Sequence, residues 1–296
     1  MHSDQANLRY PMTWEANLMV AIVSILVLIG GAIGAAFGLL TTMIPAQLLV
    51  ILPGLLWIAV RRLPFRATLR LYPIGWHTVV WSALVGLVCW PVVAGMSTLV
   101  EQGLSLIGPG PQIPRPTGLA ESVVYAVVLI ILAPMTEEPV FRGFVLRAWL
   151  RRGTALGLVL TGVLFASFHF QIAALVPLTF LGVALGLLAY HSNSLYSSVI
   201  AHICYNTIGT LFLVIPSLYE TSEWLLVGAG AVATPLAILL LWAFARRFPV
   251  PAEELPPRES SSRVWTILSL LVALGIGGLI AVAELFLRLS PNLAGR

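Results

Sequence analysis

Long apolar runs alternate with short polar segments along almost the whole chain, near residues 17–40, 44–60, 76–100, 119–141, 155–170, 173–190, 195–215, 224–245 and 264–287. Most approach the roughly 20 residues a helix needs to cross a bilayer core about 30 Å thick. The pattern predicts an all-α polytopic membrane protein, with about eight to nine transmembrane helices around a buried polar cavity. The fifth and sixth runs are short enough to be broken or tilted. A polar lead of 16 residues comes first, and the apolar run of about 23 behind it exceeds a signal-peptide core, so it predicts a first membrane helix.

Charge placement orients the helices. Arg61, Arg62, Arg66 and Arg70 follow the second run, Arg142, Arg147, Arg151 and Arg152 the fourth, and Arg246, Arg247, Arg258 and Arg263 the eighth. The alternate loops hold Glu101, Arg115, Glu220, Glu223 and almost no other charge. Nine spans with a cytoplasmic N-terminus put every arginine cluster on the cytoplasmic side, as the positive-inside bias requires. The segment RRFPVPAEELPPRESSSR (246–263) is proline-rich and polar, and is expected to be a flexible cytoplasmic linker that sets the last helix apart. Gly30, Gly34 and Gly38, and then Gly182 and Gly186, mark close helix packing.

Composition agrees: 59% of residues are apolar and 9% charged, where a soluble domain has about 25% charged. The net charge of +4 belongs to the loops, so no nucleic-acid partner is expected. Cys89 and Cys204 both fall inside spans, which speaks against a disulfide framework or a cysteine-rich metal site. All 16 basic residues are arginine, a usage that fits a GC-rich bacterial or archaeal genome. The expected location is that cell's membrane.

Ionisable residues within spans are functional candidates by default, because each costs roughly 2.5–3.5 kcal/mol at the bilayer centre. Between 119 and 215 these are Glu137, Glu138, Arg142, His169 and His202, joined by the amide of Asn206. Glu138 and Arg142 are i, i+4 and can pair on one helix face, as can His202 and Asn206. Phe165 has the same spacing to His169, so its ring can steady the imidazole. Glu137 and Glu138 point about 100° apart and cannot do the same job. A turn near Gly153 lies 16 residues from both Glu137 and His169, so an antiparallel pair would hold them level, about 24 Å from the turn. His202 joins that level only if the segment RGFVLRAWLRR (142–152), amphipathic in pattern, projects past the membrane surface. Pro134 and Pro139 lack N–H groups, which should free the carbonyls of Ile130 and Met135 beside the glutamates.

A buried carboxylate near an imidazole can take a proton from water, which is general-base hydrolysis. A second imidazole with an amide one turn away can hold an oxyanion. Glu137, His169 and His202 would equally serve as a three-ligand set for a divalent metal such as zinc, with an open position for water. Both routes cleave a peptide bond, and the residues leave the choice open.

Three motifs add a resemblance. EEPVFR (Glu137–Arg142) fits EExxxR, FASFH (Phe165–His169) fits FxxxH, and HICYN (His202–Asn206) fits HxxxN. In this order on successive membrane helices they resemble the CPBP family of intramembrane proteases, which includes the type II CAAX prenyl endopeptidases and the Abi proteins. The resemblance implies an intramembrane endopeptidase in which Glu137 is the base, His169 assists, His202 and Asn206 hold the oxyanion, and Glu138 and Arg142 support them. Pro139 departs from the family's pattern, which more often has leucine or isoleucine there. It further implies three parts: an N-terminal three-helix segment (1–118), a catalytic core of four helices (119–215), and two C-terminal helices (216–296) joined by the polar linker. The expected partners are the lipid bilayer and a protein or peptide substrate, such as a C-terminal tail or a secreted peptide. The competing reading is a non-catalytic immunity or scaffold protein that binds a peptide or membrane partner. A transporter ranks last, because residues 17–100 offer almost no polar path.

Overall fold

The computed structural model describes residues 10–111, 114–250, 257–259 and 262–290. Among the described residues, nine long helices make up the bundle: α1 (Thr13–Ala35), α2 (Leu39–Val60), α3 (Trp76–Ser105), α4 (Leu119–Leu150), α5 (Thr154–Ser167), α6 (Ile172–Ser192), α7 (Leu195–Val214), α8 (Glu223–Arg247) and α9 (Arg263–Leu289). Eight of them are long and apolar enough to cross a membrane. The exception is α5, whose 14 residues rise only about 21 Å. The two ends of the bundle differ in chemistry. Arg61 pairs with Glu15 at the start of α1 (2.7 Å), Arg152 with Glu259 ahead of α9 (3.2 Å), and the Arg70 guanidinium donates to Ala189 O near the end of α6 (3.3 Å). The arginine-bearing loops therefore converge on one end, as alternating spans demand. The N-terminus itself, within 1–9, lies outside the described residues.

Helix α1 begins at Thr13, four residues before the apolar run, because its polar first turns find partners inside the protein. The Glu15 carboxylate accepts from the Met12 N–H (2.8 Å), and Asn17 Oδ1 accepts from Trp149 Nε1 (3.0 Å). Glycines set the tightest contacts. A Cβ at Gly34 would meet Thr42 on α2, and one at Gly182 would meet Gly162 on α5, both at or below 2.6 Å. This is the close packing predicted for Gly34 and Gly182, whereas a Cβ at Gly38, just before α2, would meet nothing within 4 Å. Helix α3 lies against both α7 and α8. Its Gly86 faces the backbone of Ala201, and its Gly95 faces Gly230.

Two expectations change. Residues 141–150 are buried on nearly all sides, with only Arg147 intermediate, so this part of α4 is an interior helix and not an amphipathic surface one. The helix still reaches 32 residues, about 48 Å, longer than a hydrocarbon core of about 30 Å. The last helix is not set apart: α9 packs along α1 and touches α5. Of the linker 246–263, residues 251–256 and 260–261 lie outside the described residues. Glu259 anchors its far end by accepting from the Thr13 N–H at 3.2 Å.

The α3–α7 crossing is a test of the fold. Gly86→Val puts side-chain atoms into the Ala201 backbone. It is expected to cost at least about 1–3 kcal/mol of stability, read as a lower unfolding midpoint in detergent. Gly103→Ala, on the same helix with nothing within 4 Å, is expected to leave the midpoint unchanged or slightly raised.

Candidate active site

Helix α4 is not a uniform α-helix. It runs Leu119–Ala126 in α geometry, Val127–Leu132 in π geometry, Ala133–Glu138 in α, Pro139–Val145 in π and Leu146–Leu150 in α. Each proline lies where the register changes. Pro139 opens the second π segment, and Pro134 lies just past the first. In π geometry each N–H reaches back five residues; Ala133 N–H bonds Val128 O in this way. The next acceptor in that register is Leu129 O, and its donor would be the N–H that Pro134 lacks. The freed carbonyl is thus Leu129, not Ile130, and the Asn206 amide fills the gap by donating to it at 2.7 Å.

The six α-helical residues between the π segments carry both glutamates. Glu138 is fully buried and binds two partners through one oxygen: Arg142 Nη1 and His202 Nδ1 each donate to Oε1 at 2.8 Å. Arg142, also fully buried, reaches across to Gly182 O on α6 (3.3 Å) and lies 4.3 Å above the Phe165 ring of α5. Phe165 meets His169 edge-on with ring centres 4.8 Å apart, and His202 at 5.9 Å. Phe141 also meets the Phe165 ring edge-on, with ring centres 5.2 Å apart. One aromatic ring thus touches the arginine and both histidines.

Hydrogen bonds assign the imidazole protons. His169 Nδ1 is 2.8 Å from Phe165 O; a carbonyl only accepts, so Nδ1 carries the hydrogen and Nε2 is left with its lone pair. In His202 the Glu138 carboxylate is the acceptor, so Nδ1 again carries hydrogen and Nε2 faces away. Glu137 is 6% exposed and makes no hydrogen bond or ion pair with any described residue. It is close enough to act electrostatically on both His169 and Arg142.

Of the six residues singled out, Glu138, Arg142 and His202 form one hydrogen-bonded unit, and Phe165 joins His169 to it. Asn206 binds backbone and not a histidine. Among the described residues no three His, Cys, Asp or Glu side chains gather as metal ligands do. Glu137, His169 and His202 are not drawn together as such a group among the described residues. Two contacts go beyond the motifs. Thr136, next to Glu137, donates to Gln47 Oε1 on α2 at 2.6 Å. The visible signal was there, since Gln47 is the lone amide in the apolar run 44–60. The other is Glu284 on α9, which accepts from Ile172 N–H at 2.9 Å just beyond the His169 turn. Nothing in the local sequence links those two positions.

Residues 119–208 match the family model for the type II CAAX prenyl endopeptidase Rce1-like proteins. The match runs from the start of α4 into α7 and takes in every residue of the polar cluster; α1–α3, α8 and α9 lie outside it. No curated protein and no solved structure matches the chain. The stretch from α4 to α7 that gathers these buried polar groups is accordingly similar to the type II CAAX prenyl endopeptidase Rce1-like domain, a likeness consistent with the CPBP family.

Proposed function

We propose that this protein is an intramembrane endopeptidase that hydrolyses a peptide bond with a water activated by Glu137 and His169. The observation that carries the reading is the contrast between the two adjacent glutamates. Glu138 is tied through Oε1 to both Arg142 and His202, while Glu137 has no hydrogen-bond partner among the described residues. A carboxylate buried without a partner is costly, and a water held between Glu137 and the free His169 Nε2 would supply one. Glu137 takes a proton as the water oxygen bonds to the substrate carbonyl carbon. The tetrahedral intermediate then collapses, the C–N bond breaks, and the same proton passes from Glu137 to the leaving amine.

The developing oxyanion needs a donor. His202 Nε2 provides it when the ring holds a proton on each nitrogen, and Glu138 Oε1 is the acceptor that stabilises that cation. Asn206 serves as a strut in this scheme, holding the π segment of α4 against α7 through Leu129 O. The substrate is a protein or peptide that reaches the site from within or beside the bilayer, such as a membrane-anchored tail or a peptide in export. Glu137 and His202 are both buried among apolar helices, which supports an approach by that route.

Purified protein in lipid nanodiscs with a panel of membrane-anchored peptides tests the roles. Glu137→Gln is expected to lower the cleavage rate by about 10²–10⁴-fold with the unfolding midpoint unchanged. Cleavage at the wild-type rate would overturn the proposal. Glu138→Gln behaves differently: it leaves Arg142 facing a neutral amide in the interior, and is expected to lower stability by up to about 3–5 kcal/mol. Asn206→Ala leaves the Leu129 carbonyl unpaired, so a loss of about 1–3 kcal/mol is expected. Circular dichroism melts separate both of these from Glu137→Gln.

A further inference from the structure

We propose that α9, which lies outside the family-matched segment, is the element that positions the His169 turn, with Glu284 as its positioning residue. The catalytic consequence rests on the hydrolase reading above, whereas the clasp itself does not.

Helix α5 rises about 21 Å, short of a hydrocarbon core about 30 Å thick, so it gives way to the turn carrying His169 before a full crossing. Irregular backbone at that depth persists only where protein satisfies its polar groups. The first N–H groups of α6 have no partner within their own helix. The turn is also held in an unusual shape, because Phe170 has φ 56°, a conformation that bulky residues rarely adopt without support from their surroundings.

Helix α9 supplies that support at two points. Gly277 lies against Ser167, where a Cβ would come within 3.1 Å of both the serine Cβ and its carbonyl oxygen. Seven residues on, two turns along the same face, Glu284 Oε2 accepts from Ile172 N–H at 2.9 Å. These contacts bracket His169 from both sides. Glu284 is itself fixed from behind, because its Oε1 accepts from Arg288 Nε (3.1 Å) and Nη2 (2.8 Å). Arg288 in turn grips both oxygens of Glu101 on α3, at 2.8 and 2.7 Å, and donates to Gly108 O at 3.2 Å. The opposite end of α9 is pinned to α1, where Asn17 Nδ2 donates to Thr266 O (3.2 Å) and Ser269 Oγ (3.1 Å). With both ends held, the carboxylate is presented to the turn at a fixed depth.

The test uses the full chain in nanodiscs, with hydrogen–deuterium exchange of the peptide containing Ile172 measured beside cleavage kinetics. Glu284→Ala is expected to speed exchange in that peptide about tenfold. It is expected to lower kcat about ten- to a hundredfold with KM little changed. Glu284→Gln keeps an acceptor oxygen for Ile172 N–H and is expected to restore both readouts most of the way. Unchanged exchange in Glu284→Ala, or faster exchange with an unchanged kcat, would sink the proposal. Should the wild type cleave nothing, the hydrolase reading falls and the exchange result alone decides the clasp. Should Glu284→Ala not fold, Gly277→Val carries the same test against Gly278→Val, whose Cβ meets nothing within 4 Å.

Discussion

The Glu138 carboxylate is the constraint on which the rest of the core depends. An ionised group inside an apolar bundle stands only if charge and hydrogen-bond donors are delivered to it. Here they come from Arg142 on its own helix and His202 on α7. Arg142 then needs its own support, which it takes from Gly182 O on α6 and the Phe165 ring on α5. Satisfying one carboxylate thus draws α4, α5, α6 and α7 to a common point. The close Gly162–Gly182 contact follows from this, since α5 and α6 must approach within reach of the same guanidinium.

The backbone of α4 answers to the same demand. Two π segments flank the glutamates, each next to a proline that removes one rung of the hydrogen-bond ladder. A π turn rotates everything beyond it relative to an α-helix, so the prolines act as register shifters and not as helix breaks. Pro139, the departure from the family's usual residue, opens such a segment. In that position its missing N–H is compatible with the passage from α to π geometry, and Glu138 and Arg142 keep their i, i+4 pairing across it.

How legible this was depended on whether the controlling interaction was local. Helix count and alternation followed from hydrophobic runs and arginine placement, because both report a single dominant energy, the cost of charge in lipid. The Glu138–Arg142 pair and the ring beneath His169 followed from i, i+4 spacing. Glu138–His202 did not, because it spans 64 residues and no short-range pattern encodes it. The choice of Leu129 over Ile130 as the orphaned carbonyl needed the π register, which a proline alone does not specify. The docking of α9 was missed for a related reason. Its anchors, Asn17, Thr266, Glu284 and Arg288, each look like an ordinary polar residue near a helix end, and only the fold gives them partners.

The two adjacent glutamates show how one local geometry yields two roles. Neighbouring helical residues diverge by about 100°, so only one of them can face the arginine and histidine that the core brings together. Glu138 takes that position, and its charge is consumed by structure. Glu137 is turned away from the same partners, yet it remains within electrostatic reach of Arg142 and His169. In the proposed hydrolysis, the carboxylate without a protein partner is the one left to bind water. In that proposal the pair must be asymmetric: exchanging their environments would take the base away from His169 and leave Arg142 and His202 without the carboxylate they share.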